Sequence, residues 1–168
     1  MLIRFTRLTD DRHRFEIVRE DGTSEAHELE TRSTLLHDLT HYAVEAEAGL
    51  EGSFYGRLSR GMTYAALSEP ASGSVEAFQT EAVVARMQGG FRDGRVPKTD
   101  PAQCAEEIGA GFRSIGAEPP IWLTPDLIAR ARERLRRVHG QWRATPFHDT
   151  MELEFPLQRD SGVARAAP

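Results

Sequence analysis

Cysteine and lysine are almost missing from this chain of 168 residues. Cys104 is its single cysteine and Lys98 its single lysine, so every other one of its 21 basic residues is an arginine. One cysteine excludes an internal disulfide framework and fits a reducing compartment. No apolar run approaches the roughly 18 residues of a membrane span. The opening Met1-Leu2-Ile3-Arg4-Phe5 lacks the apolar core of a secretory leader, so a cytoplasmic protein with no membrane partner is expected. Positive charge is not in excess either: a net charge of −5 argues against a general nucleic-acid binder, which needs a positive face. There is no Gly-x-Ser-x-Gly elbow for Ser-His-Asp catalysis. There is also no Gly-Lys-Ser/Thr for a phosphate loop.

What remains is ordinary globular material, 39% hydrophobic and 28% charged, which is too apolar for a disordered chain. The length suffices for one core without metal or disulfide staples, so a single domain over residues 1–157 is expected, with a loose tail at 158–168. The arginine skew, with many alanines and glycines, reads as GC-rich bacterial coding.

Periodicity predicts an α+β fold. Ile3 and Phe5, then Phe15 and Ile17, alternate with polar residues as in half-buried strands, and Asp21-Gly22 signals the hairpin into a third strand at Ser24–Leu29. Met151, Leu153 and Phe155 alternate with glutamates, so a last strand is expected to rejoin this antiparallel meander. About four helices should pack on the sheet. The first follows Ser33 or Thr34 and ends near Gly49; the second is capped by Ser74, with Val75, Phe78, Ala82, Val83 and Met87 as its apolar face. The third opens at Asp100-Pro101 and the fourth at Thr124-Pro125. Connectors are expected at 69–73 and 91–99. The fourth helix carries Arg130, Arg132, Arg134, Arg136, Arg137 and Arg143. They flank its apolar stripe on both sides without interleaved aromatics, which reads as stems covering core edges rather than a base-stacking surface.

One segment carries chemistry. His37-Asp38-Leu39-Thr40-His41 places two imidazoles four residues apart, on one face of a helix, where they can converge on a metal ion. At about 100° per residue, Leu35, Leu36, Leu39, Tyr42, Ala43 and Ala46 form the apolar stripe, and His37, His41 and Glu45 fall roughly opposite. If that polar face meets solvent, the histidines are surface residues; if it faces a cleft, the helix offers them to a ligand. Asp38 stands where zinc peptidases of the His-Glu-x-x-His type carry their general base, so it is the candidate catalytic residue. Glu45 lies about 12 Å along the axis from His37, too far for all three to meet one ion. It therefore orients His41, or acts as a ligand in place of His37. A further ligand must come from elsewhere, and His148, beside Asp149, is the leading candidate, with Glu51 another.

The His37-Asp38-x-x-His41 run resembles the His-Asp-x-x-His zinc motif of the ubiquinone-biosynthesis proteins that act on the quinone ring. The glutamate that this family carries twelve positions after the second histidine is Ser53 here. More broadly, Leu36–Glu45 followed by Gly52-Ser53-Phe54-Tyr55-Gly56 and Gly61 resembles small bacterial proteins of unassigned function, over about residues 33–67. Together these features imply a divalent-metal site, zinc before other ions, serving hydrolysis or a related reaction on a small molecule. The alternative is a metal-free structural or interaction domain, acting as a homo-oligomer. An exposed apolar patch at Phe54, Tyr55 and Met62 would favour it.

Overall fold

The period-2 segments build one sheet. In the computed structural model, which describes residues 1–67, 73–91 and 99–156, β1 (Leu2–Arg7), β2 (Arg12–Val18) and β3 (Ser24–Glu30) form the expected antiparallel meander. β4 (Thr150–Glu154) adds antiparallel to the free edge of β1, giving the order β3-β2-β1-β4. Most of the expected connectors at 69–73 and 91–99, and the whole tail at 158–168, lie outside the described residues. Phe5 stands opposite Phe15 and Met151, and Ile3 opposite Ile17 and Leu153. A side-chain period of two puts all six on one face, where all are buried. The other face is charged, with Arg4 Nε 2.8 Å from Glu152. At the β2–β3 turn Gly22 has φ 82°, and the Asp21 carboxylate accepts the Thr23 N–H at 2.9 Å.

Six helices follow. α1 (Leu36–Ala48) is not capped by Ser33 or Thr34. The chain leaves β3 through a wide π-type turn, Thr31–Leu35, and both hydroxyls bond back to Glu30. Helical backbone is already under way at Thr31, so the first amides of α1 find carbonyls rather than a cap. Gly49, at φ 66°, ends the helix. Two short helices follow: α2 (Phe54–Ser59), whose first amides reach Glu45 of α1, and α3 (Tyr64–Leu67), whose Tyr64 packs on Phe15 and His27 of the sheet. α4 (Val75–Gly90), α5 (Pro101–Ser114) and α6 (Pro125–Ala144) start at the expected caps. Ser74 accepts from the Ala77 N–H at 3.1 Å, Asp100 from Ala102 at 2.9 Å and Thr124 from Leu127 at 3.1 Å.

These elements stack so that α1 is central. Leu35, Leu39, Tyr42 and Ala43 pack with Leu135, Val138 and Trp142 of α6 against the inner face of the sheet. A second core joins Val44 of α1 to Val83, Val84 and Met87 of α4, Ile108 and Phe112 of α5, and Ile128 and Ala131 of α6. Every residue from Asp38 to Glu45 is buried as a result. The polar side of α1 is largely roofed by α2 and α4: His41 and Glu45 are buried, and His37 stays partly exposed.

Two expectations about surfaces change. On α4, Val75 and Phe78 are 76% and 51% exposed, and the inward face is Thr80, Val83, Val84 and Met87. The arginines of α6 act as ties. Arg130 and Arg134 both donate to Glu47 of α1, at 2.9 and 2.6 Å, and Arg132 donates to the Thr99 carbonyl at 2.6 Å. Asp126 pairs with Arg130 as the spacing predicts. The same i,i+4 spacing predicts a Glu133–Arg137 pair, but Glu133 pairs with Arg136, three residues on. Among the described residues no helix is long and apolar enough to cross a membrane.

Candidate metal centre

The i,i+4 spacing on α1 brings the rings of His37 and His41 to 4.6 Å between centroids. The third member of the group is Glu81, from the facing turn of α4. His37, His41 and Glu81 each offer a ligand atom, and these atoms lie within 4.8 Å of one another, so the group could hold a metal ion. Glu81 Oε1 is 3.1 Å from His41 Nε2, and Oε2 is 3.7 Å from His37 Nε2. Ligand atoms in a tetrahedral zinc shell sit roughly 3.3 Å apart, from bond lengths near 2.0–2.1 Å. The Glu81 oxygen lies off the line of the His41 ring N–H, and Nε2 makes no true hydrogen bond despite the short distance.

The far nitrogen of each ring is held. Glu45 is fully buried, and its Oε1 accepts from His41 Nδ1 at 2.9 Å. Its Oε2 accepts the backbone N–H groups of Tyr55, at 2.8 Å, and Gly56, at 3.2 Å. Gly56 is required for this approach, because a Cβ there would lie 2.5 Å from the Leu50 carbonyl oxygen. Gln88, two turns beyond Glu81 on α4, accepts from His37 Nδ1 at 3.2 Å. With both Nδ1 atoms engaged to oxygen acceptors, both Nε2 atoms are left to face Glu81. Oxygen partners behind the rings are how proteins fix the tautomer of metal-ligating histidines.

Electrostatics follow from the burial. Burial alone would lower the His41 pKa, but the Glu45 and Glu81 carboxylates outweigh it and push it up to about 9. His37 is moved down, by burial and by the neighbouring His41, and so stays neutral and ready to donate a lone pair. The Glu81 carboxyl is held below its ordinary range by His41. Asp38, 5% exposed, is raised by burial to about 7 against the opposing pull of His41, and its Oδ2 has no hydrogen-bond partner among the described residues. The Tyr55 hydroxyl is buried and equally unpartnered, and burial together with Asp38 and Glu45 raises its pKa.

The structure thus joins His37 and His41, gives Glu45 the orienting position behind His41, and buries Asp38 beside it. His148 does not join them. It is exposed at φ 68° in the loop before β4, with its N–H 2.6 Å from the Arg7 carbonyl oxygen. The reason is topological: β4 pairs with β1 on the sheet, whereas the histidine face of α1 points towards α4. Glu51 is occupied by an ion pair with Arg60. Sequence reasoning missed Glu81 because it rotated α4 towards Val75 and Phe78. The available signal was Glu81 and Gln88, seven residues apart and flanking Val84 on an otherwise apolar side. Sequence reasoning also missed His13 on β2, a fully buried core histidine against Phe5 and Trp142. Comparison of the chain with protein-family models, with curated proteins and with solved structures finds no match.

Proposed function

We propose that His37, His41 and Glu81 bind a divalent cation, zinc before other ions, and that the site serves metal-assisted hydrolysis of a small molecule. The observation that carries this reading is the convergence of two Nε2 atoms and one carboxylate within 4.8 Å, with each Nδ1 engaged from behind. Two histidines and one glutamate are a donor set of catalytic zinc, which keeps a fourth position open. A cation there supplies Lewis acidity and lowers the pKa of a coordinated water. This chain's residues do the rest. Asp38, buried on the same helix with a carboxyl near neutrality and no partner on Oδ2, is the candidate base. Glu45 keeps His41 in the tautomer that ligates, and α2 and α4 exclude bulk water from the buried side. The half-exposed side chains of His37 and Glu81 leave the opposite side open to substrate.

The test is elemental analysis of untagged protein together with H41A and E81A. About one zinc per chain is expected in the wild type, and none in either variant. Glu81 is half-exposed, so E81A should remain folded. Wild type that takes up no metal, or E81A that keeps its full complement, would overturn the reading. One observation favours the metal-free alternative: a protonated His41 between Glu45 and Glu81 balances their charges, as an architectural link between α1 and α4 would. In that case E81A loses stability and metal never appears. The apolar patch that would mark an interaction domain is not open, since Tyr55 is fully buried and Phe54 and Met62 are half-buried.

A further inference from the structure

Glu81 belongs to two features at once. Its carboxylate completes the group with His37 and His41, and it also forms part of the wall of a cavity of about 300 Å³ between α2 and α4. Phe54, Ala77 and Phe78 make much of that wall apolar, while Ser53 and Arg57 supply polar edges. Phe54 bridges the two features, its ring 5.6 Å from that of His41. The loop that leads into α2 is fastened to the start of α4, which holds the walls apart: the Gly52 N–H donates to Glu76 at 2.5 Å, and the Ser74 hydroxyl to the Gly52 carbonyl at 3.1 Å.

One detail of the wall points to an occupant. Phe78 leaves half of a large apolar side chain uncovered, 51% by area, at the cavity edge. A volume of about 300 Å³ accommodates a single benzoyl-sized group. The two phenylalanines give such a ring aromatic partners in the wall.

We propose that this cavity is the specificity pocket of the metal site, and that it takes one aromatic ring of a substrate whose reacting polar group lies at His37, His41 and Glu81. This inference rests on the metal reading above. Its test uses two hydroxamates that chelate zinc through the same atoms, benzohydroxamate and acetohydroxamate, with the zinc-loaded full-length protein. Benzohydroxamate is expected to bind at least tenfold more tightly than acetohydroxamate. Ala77→Leu, which fills the cavity one turn before Glu81, should remove that preference while leaving zinc content and acetohydroxamate affinity unchanged. Phe78→Ala, at an exposed position that tolerates truncation, should weaken benzohydroxamate alone. Equal binding of the two probes by the wild type, or a preference that survives both substitutions, would overturn the pocket while leaving the metal site standing. A wild type that takes up no zinc would overturn the metal reading, and the pocket with it.

Discussion

Replacing Glu45 by glutamine changes one atom and tests how the centre is built. In the wild type, Oε1 faces the His41 Nδ1 donor, and Oε2 faces the Tyr55 and Gly56 N–H donors. An amide cannot meet three donors. If its NH₂ group faces the two backbone amides, two donors oppose one; if it faces His41, the ring must accept at Nδ1 and carry its proton on Nε2, where the metal belongs. The second arrangement costs less, and it removes the ligating lone pair. Loss of an orienting partner of this kind lowers metal affinity about 10–100-fold, or about 1.4–2.7 kcal/mol. The altered buried network costs about 1–3 kcal/mol in stability. The pH dependence should change as well. Below pH 9 the metal-free His41 holds a second proton that zinc must displace, so apparent affinity in the wild type rises about tenfold per pH unit up to that point. Glutamine removes one of the two carboxylates that raise the His41 pKa, so this slope flattens at a lower pH than in the wild type. Zinc competition against a chromogenic chelator, read from pH 6.5 to 9.5 beside urea unfolding, measures all three effects. Wild-type affinity and slope in E45Q would refute the orienting role.

Three further outcomes follow from the packing. His13 is fully buried, and burial first, then Arg12, depresses its pKa to about 4. The unfolded chain binds that proton near 6.5, so stability should fall as pH drops from 6.5 through 4, by about 3 kcal/mol in total, and H13F should flatten this acid limb in urea titrations. Glu47→Ala removes the acceptor shared by Arg130 and Arg134 and should destabilise by about 1–3 kcal/mol without changing the urea m value; a change under 0.5 kcal/mol would show the tie to be idle. Gly56→Ala pushes a methyl against the Leu50 carbonyl and should cost about 1–3 kcal/mol. It should also weaken zinc binding by moving the Gly56 N–H away from Glu45; thermal melts and the chelator assay read the two effects separately.

Elements governed by local chemistry were legible in the sequence. Alternation located all four strands, and Asp21-Gly22, Ser74, Asp100-Pro101 and Thr124-Pro125 marked turns and caps that depend on a few neighbouring residues. The His37–His41 pair and the place of Glu45 behind it were legible for the same reason, since the helical repeat alone sets their geometry. What could not be read depends on how elements meet. The rotation of α4 follows from two cores sharing α1, and a hydrophobic count along α4 placed Val75 and Phe78 inside when they are outside. With that rotation went Glu81 and Gln88. His148 failed as a ligand because strand order, not chain position, decides which end of the molecule it occupies. Ser33 and Thr34 were good capping residues made redundant by helical backbone that begins upstream of them.

X-ray absorption at the zinc edge of reconstituted, untagged protein tests the centre most directly. A shell of four or five light atoms near 2.0–2.1 Å is expected. Two of them should show imidazole scattering, and H37A should retain no zinc. A six-oxygen hydrated ion with no imidazole signal, or no zinc retained at all by the wild type, would contradict the account.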